Sequence, residues 1–181
     1  RRGQSITSPQ IQMTYTEATS ECTATEYRMQ FRKAVSQFAT GIAIVTVEAE
    51  MPDKVHGMTI NSFTSISLDP PTVLISLKPG RTNQLVSQRR RFGVSILHDD
   101  QAEYSALFSG RQDVNCRPEF VIPSQAPVLG SALAWFECEL QHQVQIHDHT
   151  LFIAEVTACG SVDGAPLLFF ASRYHRHSSW S

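Results

Sequence analysis

Several features that would assign this chain to a common class are missing from its sequence. The four cysteines (Cys22, Cys116, Cys138 and Cys159) include no Cys-x-x-Cys pair, so the sequence predicts neither a zinc ribbon nor a redox dithiol. We expect free thiols in a reducing compartment. Basic residues are not in excess, with 15 Lys and Arg against 17 Asp and Glu, which argues against a nucleic-acid partner.

Long apolar runs and several nucleotide-binding and catalytic motifs are also missing. No stretch approaches the roughly 20 apolar residues of a membrane span, and no apolar run follows the two N-terminal arginines. We therefore expect no membrane partner, no signal peptide and a cytoplasmic location. The sequence contains no Gly-x-Ser-x-Gly elbow, Walker loop or Gly-x-Gly-x-x-Gly fingerprint, so α/β-hydrolase, nucleoside-triphosphatase and Rossmann interpretations lack their residues.

The composition is that of one folded domain. Hydrophobic residues make up 41% of the 181 residues, too many for a disordered chain. Only 18% are charged, which leaves apolar surface that self-association would bury. We predict a flexible N-terminal arm at residues 1–25, a domain at residues 26–174 and a C-terminal tail at residues 175–181.

The pattern of apolar residues favours a mainly β fold with short helices. Strands are predicted where β-branched and other apolar residues dominate, at residues 41–50, 55–60, 63–68, 71–78, 92–97, 135–146, 150–159 and 166–171. Helices are predicted from Thr25, as N-cap, to residue 37, at residues 82–88, and from Asp99, as N-cap, to residue 108. Residues 109–129 are interpreted as a loop. This arrangement fits an antiparallel barrel flanked by helices.

Two of the predicted strands carry further expectations. PTVLISLK, at residues 71–78, is nearly continuously apolar and is expected to be buried on both faces. The strand at residues 135–146 alternates strictly between apolar and polar residues, and His142 falls in the apolar phase. We therefore expect His142 to be a core histidine whose ring nitrogens have hydrogen-bond partners. That apolar phase consists of Phe136, Cys138, Leu140, His142, Val144 and Ile146.

Residues 57–67 are unusually polar for a strand region. Six side chains there carry a hydroxyl or an amide: Thr59, Asn61, Ser62, Thr64, Ser65 and Ser67. Such groups suit a ligand with many acceptors, such as a phosphate, a ribityl chain or a heteroaromatic edge. On composition alone, a half-exposed strand whose Ser and Thr residues face water is the favoured alternative.

A second unusual segment runs from Pro70 to His98 and contains no Asp or Glu. Lys78 and Arg81 flank a turn that opens a predicted helix, and free helical N–H groups beside two cations form a competent phosphate site. Residues 89–91 are three adjacent arginines, which cannot converge on one ligand and are interpreted as a solvated face.

His147, Asp148 and His149 form the remaining cluster. On a strand the two histidines would share a face and could bind a metal together with Glu155. An exposed turn with solvated imidazoles is the alternative, and we predict no metal site.

Taken together, five blocks resemble the short-chain NAD(P)H:flavin reductases, the reductase components of two-component flavin-dependent monooxygenases. The blocks are FRKAVSQFATGIAIVT, GMTINSFTSISLDPP, FGVSIL, DHTLFIAEV and PLLF, in this order over about 150 residues. The resemblance implies an FMN-binding split barrel, a Greek-key-like antiparallel barrel that is usually a homodimer. It also implies hydride transfer from NADH or NADPH to FAD or FMN, with the reduced flavin passing to a separate oxygenase or halogenase.

The resemblance also implies roles for particular residues. Thr59, Ile60, Asn61 and Ser62 would face the flavin ring, where backbone donors stabilise negative charge. The flavin phosphate would be held by Ser65, Ser67, Lys78, Arg81 and Thr82. His149 would orient the nicotinamide and is the expected catalytic residue, and Asp148 would fix the turn or the imidazole tautomer. The remaining residues expected at the nicotinamide are His147, Phe108 and Tyr174.

Two positions depart from the family pattern. His147 stands where the family has glycine, which predicts a strained or reshaped turn, and Ala154 replaces another common glycine. Two alternatives to a reductase remain: a flavin carrier on the same barrel that does not turn over nicotinamide, and a metal-dependent barrel that uses His147, His149 and Glu155.

Overall fold

A computed structural model describes residues 23–50, 54–111 and 114–176. The helices of this part are α1 (Ala24–Val35), α2 (Arg81–Arg89) and α3 (Ala102–Phe108). Its strands are β1 (Thr40–Gly41), β2 (Ala43–Glu48), β3 (Val55–Ile60), β4 (Thr64–Leu68), β5 (Pro71–Leu77), β6 (Arg91–Ile96), β7 (Phe120–Val121), β8 (Val128–Leu129), β9 (Ala134–Ile146), β10 (His149–Ser161), β11 (Leu168–Phe170) and β12 (Arg173–His175). Most of the predicted arm, and the tail beyond residue 176, lie outside the described residues.

The boundary between two compact units of the chain falls after Val35, so α1 belongs to the first unit and every other element to the second. α1 begins with a capping box. The Glu26 N–H donates to Thr23 Oγ1 at 3.3 Å, and the Thr23 N–H donates to Glu26 Oε2 at 2.8 Å. The predicted N-cap at Thr25 was therefore wrong, because the helix already begins at Ala24.

All strand pairs of the second unit are antiparallel, as predicted. The main sheet has seven strands in the order β3-β2-β6-β9-β10-β5-β4, and small sheets are formed by β1-β11-β12 and by β7-β8. β7 and β8 lie within the segment that was interpreted as a loop, and β12 begins inside the predicted domain and ends in the predicted tail. Strands of two or three residues are too short to show the alternation by which longer strands are recognised.

The main sheet packs on both of its faces. One face carries the larger core, with Val45, Val94, Cys138 and Phe152 among its fully or nearly fully buried side chains. A second apolar cluster contains Ile44 of β2, Leu97, Leu129 and Leu167, and α3 packs against it through Tyr104 and Phe108. Because Ile44 and Val45 are neighbours on one strand, the two clusters lie on opposite faces of the sheet.

A row of four residues in register crosses strands β3, β2, β6 and β9: Gly57, Thr46, Gly93 and Glu137. Residues 124–127 lie directly on this row. The Thr46 hydroxyl donates to the Pro127 carbonyl. Glu137, which is fully buried, accepts three backbone N–H groups through Oε1, from Ser124 at 2.9 Å, Gln125 at 2.8 Å and Ala126 at 3.0 Å.

Several expectations about individual elements were wrong. β5 is not buried on both faces: Val73, Ile75 and Leu77 are buried, and the residues between them are half-buried. Asp99 is not the N-cap of α3, because its backbone N–H still pairs with Ala165 at 2.9 Å and the helix begins at Ala102.

The expected core position of His142 was also wrong, and the cause lies in the neighbouring strand. Pairing of β6 with β9 ends at Arg91 and Glu139. Beyond Leu140, β9 therefore has no strand on its β6 side among the described residues. His142 is exposed, as are Val144 at 43% and Ile146 at 46%.

Gly93 tests the contact between residues 124–127 and the sheet. A Cβ atom at this position would lie 2.0 Å from the Pro127 carbonyl oxygen and 2.8 Å from Thr46 Oγ1. We expect Gly93→Ala to lower the free energy of unfolding by about 3 kcal/mol, measured by urea denaturation. The matched control is Gly41→Ala, whose Cβ would meet nothing within 4 Å and which should change stability by less than about 1 kcal/mol. Equal stability of the two variants would contradict the close packing.

Candidate active site

The candidate site is a cleft of about 800 Å³ between β3, the start of α2 and the end of α3. This volume lies within the range of small-molecule and cofactor sites. Most of its wall surface is apolar, although six of the twelve lining residues carry polar or charged side chains. The cleft is lined by Val55, His56, Gly57, Met58, Thr59, Lys78, Arg81, Thr82, Leu107, Phe108, Ser109 and Gly110.

The backbone of β3 forms part of the cleft because Gly57 has no side chain. A Cβ atom on Gly57 would lie 2.9 Å from two ring carbons of Phe108, so the Phe108 ring lies directly against the strand. Thr59, two residues further on, donates its hydroxyl to the Ser105 carbonyl of α3 at 2.7 Å. The glycine and the threonine thus hold α3 close to β3.

The opposite end of the cleft is cationic. Lys78 and Arg81 both line it, as does Thr82, which is only 4% exposed. Among the described residues, no side chain caps the N-terminus of α2, so its first N–H groups are available to an anion. Lys78, Arg81 and the N-terminus of α2, which were predicted to form a phosphate site, therefore lie together at this end of the cleft.

The arginine triplet does not take part in this cleft. Arg89 lies 3.8 Å from Glu50, and the Arg90 guanidinium donates to the Leu140 carbonyl at 2.6 Å. Arg91 begins β6, and all three residues are exposed. None of the three lines the cleft, and their exposure agrees with the prediction of a solvated face, although Arg89 lines a second pocket together with Arg81.

The segment after Thr59 does not line the cleft. Ile60 is buried and Asn61 is exposed. The Ser62 hydroxyl donates to the Ser76 carbonyl at 2.9 Å and accepts the Ser76 N–H at 3.1 Å, which ties the β3–β4 connection to β5. Ile60 and Ser62 therefore offer a ligand at the end of β3 only their backbone groups, whereas the Asn61 side chain is exposed.

Ser65 and Ser67 lie on the edge strand β4, outside the lining of the cleft. Ser65 is exposed. The Ser67 hydroxyl bonds to the backbone N–H and carbonyl of Asp69 at 3.2 and 3.3 Å, within a turn. The phosphate contacts predicted for these two serines stay predictions.

His147 and Asp148 form the two-residue turn between β9 and β10, and His149 is the first residue of β10. His149 Nδ1 lies 2.9 Å from Asp148 Oδ1, a contact that fixes the ring nitrogen facing the carboxylate. This hydrogen bond from His149 lowers the pKa of Asp148, and the positive charge of Lys78 acts in the same direction. The imidazole keeps 36% of its surface exposed, so it is accessible to a ligand.

The backbone conformation of the turn explains why the family has glycine at the position of His147. Its φ angle is 48°, in the left-handed region where glycine is favoured. His147 therefore adopts a backbone conformation that glycine favours, and the chain still closes the hairpin between Ile146 and His149. Ala154, the other departure, is fully buried and faces Val73 across the β10–β5 pair.

The turn and the cationic end of the cleft lie at the same end of the sheet. Thr150 pairs with Leu77 in the antiparallel β10–β5 ladder, so the next position along β10, His149, lies across from Lys78. Asn83 of α2 donates to Thr150 Oγ1 at 3.0 Å. His149 therefore lies beside the cationic end of the cleft, although His149 itself is not among the residues that line the cleft.

Tyr174 is also outside the cleft lining. Its hydroxyl shares a hydrogen bond with Ser105 Oγ at 2.8 Å. Phe108 does line the cleft. Direct contact of either residue with nicotinamide stays a prediction.

The metal-dependent alternative fails on geometry. His149 and Glu155 lie six residues apart on β10, about 20 Å along an extended strand. Among residues 23–50, 54–111 and 114–176, no group of three His, Cys, Asp or Glu side chains could hold a metal ion. The described cysteines Cys116, Cys138 and Cys159 are free, and burial raises the pKa of the Cys138 thiol to about 12.

Sequence reasoning missed part of the cleft wall. Val55, His56 and the stretch from Leu107 to Gly110 line the cleft, and none of them was singled out as a ligand contact except Phe108. The one available signal was Gly57 in the middle of a predicted strand, since an interior glycine marks close approach of another group.

An antiparallel β protein with an apolar cleft, two cations and a helix N-terminus at one end has the architecture of a protein that binds an anionic aromatic cofactor. The chain belongs to the flavin reductase-like family, because the model described as "Flavin reductase like domain" matches residues 35–178. This confirms the resemblance seen in the sequence. In the described part of the chain, no helix is long and apolar enough to cross a membrane.

Relatives and solved structures place the chain more closely within that family. The NADH-dependent flavin reductase StyB of Pseudomonas fluorescens is 57% identical over 149 residues, covering 80% of this chain and 87% of that protein. The styrene monooxygenase flavin reductase SMOB from Pseudomonas putida S12 is 58% identical with a TM-score of 0.77, covering 81% and 96%. The NADH:FAD oxidoreductase SgcE6 of Streptomyces globisporus C-1027, in complex with NAD and FAD fragments, is 32% identical with a TM-score of 0.74, covering 82% and 92%.

Proposed function

We propose that the chain is an NADH-dependent flavin reductase that reduces FAD or FMN and releases the reduced flavin to a separate oxygenase or halogenase component. The observation that carries this proposal is the cleft, whose apolar wall ends at Lys78, Arg81 and Thr82. Family membership supports the same function, as does the similarity to NADH-dependent flavin reductases.

The cleft fits a flavin in size and in chemistry. Its volume of about 800 Å³ and its Phe108 wall suit an aromatic ring system, and its cationic end suits the phosphate. Lys78, Arg81, Thr82 and the α2 N-terminus would hold that phosphate. Backbone groups of residues 59–62 would stabilise negative charge at the ring. When bound, flavin supplies the hydride-accepting chemistry, so the protein needs no nucleophile of its own.

His149 would orient the nicotinamide of NADH. Its ring is exposed beside the cationic end of the cleft, and the Asp148 contact at 2.9 Å fixes which nitrogen faces outward. Positioning of this kind raises the rate by holding two reactants together, without any bond to the protein.

The fold and assembly belong to the same proposal. We infer a split barrel. β3 and β4 form the two edges of the seven-stranded sheet and are consecutive in the chain, so the sheet must curve to bring its edges together. The bond between Ser62 and Ser76 ties the connection between these strands to β5. We also infer a homodimer. The outer part of β9, which has no strand on its β6 side among the described residues, leaves Val144 and Ile146 exposed, and a second copy would bury this apolar surface.

Activity is tested with a matrix of NADH and NADPH against FAD and FMN, followed through the absorbance of the reduced nicotinamide. We expect oxidation of NADH only when flavin is added, because the hydride acceptor is the flavin. Tight flavin binding without NADH oxidation would instead support the carrier protein. No oxidation with any of the four pairs would refute the proposal.

His149→Ala should raise the KM for NADH roughly three- to tenfold, because it removes about one hydrogen bond to the nicotinamide. The KM for flavin should change less. His142→Ala is the matched control, since it removes an exposed histidine from the same hairpin. Steady-state kinetics at saturating co-substrate measures both constants. Equal changes in the two KM values would remove the assigned role.

Light scattering should report twice the mass of one chain. Ile146→Glu places a charge in the exposed apolar surface of outer β9 and should shift the protein toward the monomer. Val162→Glu is the control, because Val162 is a 61% exposed residue outside this strand. A monomeric wild-type protein, or dissociation by both variants alike, would exclude this interface.

A further inference from the structure

A hydrogen-bonded cluster centred on Ser105 lies outside the cleft but joins its two walls. Ser105 is fully buried in α3 and is not among the lining residues. Its backbone carbonyl accepts the Thr59 hydroxyl and the Ser109 hydroxyl, each at 2.7 Å. Thr59 and Ser109 both line the cleft. One carbonyl therefore ties the strand wall to the end of the helix wall.

The hydroxyl of the same serine bonds to a residue near the C-terminal end of the domain. Ser105 Oγ and the Tyr174 hydroxyl lie 2.8 Å apart. Tyr174 is on β12, where it pairs with Phe169, and the two rings are 5.6 Å apart. β12 belongs to the three-stranded sheet, so this bond connects α3 to a sheet other than the one that carries the cleft.

α3 depends on such contacts for its position. The helix is only seven residues long, and among the described residues no side chain caps its N-terminus. Phe108 lies three residues after Ser105, a spacing that puts both on neighbouring positions of the helix surface. A shift of Ser105 would therefore move the Phe108 ring away from Gly57, against which it packs.

We propose that Tyr174 is a positioning residue for flavin binding, which acts through Ser105. Its hydroxyl fixes Ser105, and Ser105 fixes the Thr59 hydroxyl and the helix wall that carries Phe108. This inference rests on the proposed function, because it takes the cleft as the flavin site. It differs from a direct contact between Tyr174 and nicotinamide, which would act on NADH alone.

Tyr174→Phe tests the inference, since it keeps the ring and its contact with Phe169 and removes only the hydroxyl. We expect the Kd for flavin, followed by fluorescence quenching without NADH, to rise roughly three- to tenfold. The KM for NADH at saturating flavin should not change. Ser105→Ala should give a similar rise, and the double variant should give no more than either change alone, because both remove the same bond.

The control is Tyr104→Phe, on the same helix, whose hydroxyl makes no hydrogen bond among the described residues and whose removal should leave flavin binding unchanged. Thermal denaturation of each variant shows that the fold is intact. If Ser105→Ala does not fold, Tyr174→Phe against Tyr104→Phe still decides the matter.

The two proposals fail in different ways. A wild-type protein that binds no flavin would refute the proposed function. A wild-type protein that binds flavin, with an unchanged Kd in Tyr174→Phe, would overturn the positioning role alone. A rise in the KM for NADH without a change in flavin Kd would also overturn it, in favour of direct nicotinamide contact.

Discussion

The rest of this structure depends on one constraint: α3 and residues 124–127 approach the main sheet closely at a row of small and polar residues. Gly57, Thr46, Gly93 and Glu137 lie side by side across four strands. At one end of the row an aromatic ring of α3 touches the backbone, and at the other a buried carboxylate gathers three N–H groups of the overlying loop. Bulky side chains in this row would lift both coverings from the sheet, and the cleft would lose its wall.

The candidate site combines this packing with a separate electrostatic arrangement. Lys78 and Arg81 bring positive charge to the start of α2, and the β9–β10 turn places His149 at the same end. Under the proposed function, these residues would place an aromatic ring, a phosphate and a second ring, and the cofactors would supply the reactive atoms.

Sequence patterns predicted the parts of the structure that depend on local information. Alternating and β-branched residues indicated the long strands, and the absence of acidic residues from Pro70 to His98 drew attention to Lys78 and Arg81, which line the cleft. Contacts between distant segments were not predictable in this way. The exposure of His142 depends on where β6 stops, and the fit of Phe108 onto Gly57 depends on how α3 packs. Asp99 had the side chain of an N-cap, but backbone pairing with Ala165 overrode that preference.

The contact between Gly57 and Phe108 also has an evolutionary consequence. Position 57 has no space for a side chain, so a substitution there cannot reshape the cleft without displacing the Phe108 ring. Divergence in ligand preference on this side of the site is therefore left to α3 and the residues that end it. A short helix held by a few hydrogen bonds can accept such changes, while the strand beneath it stays the same.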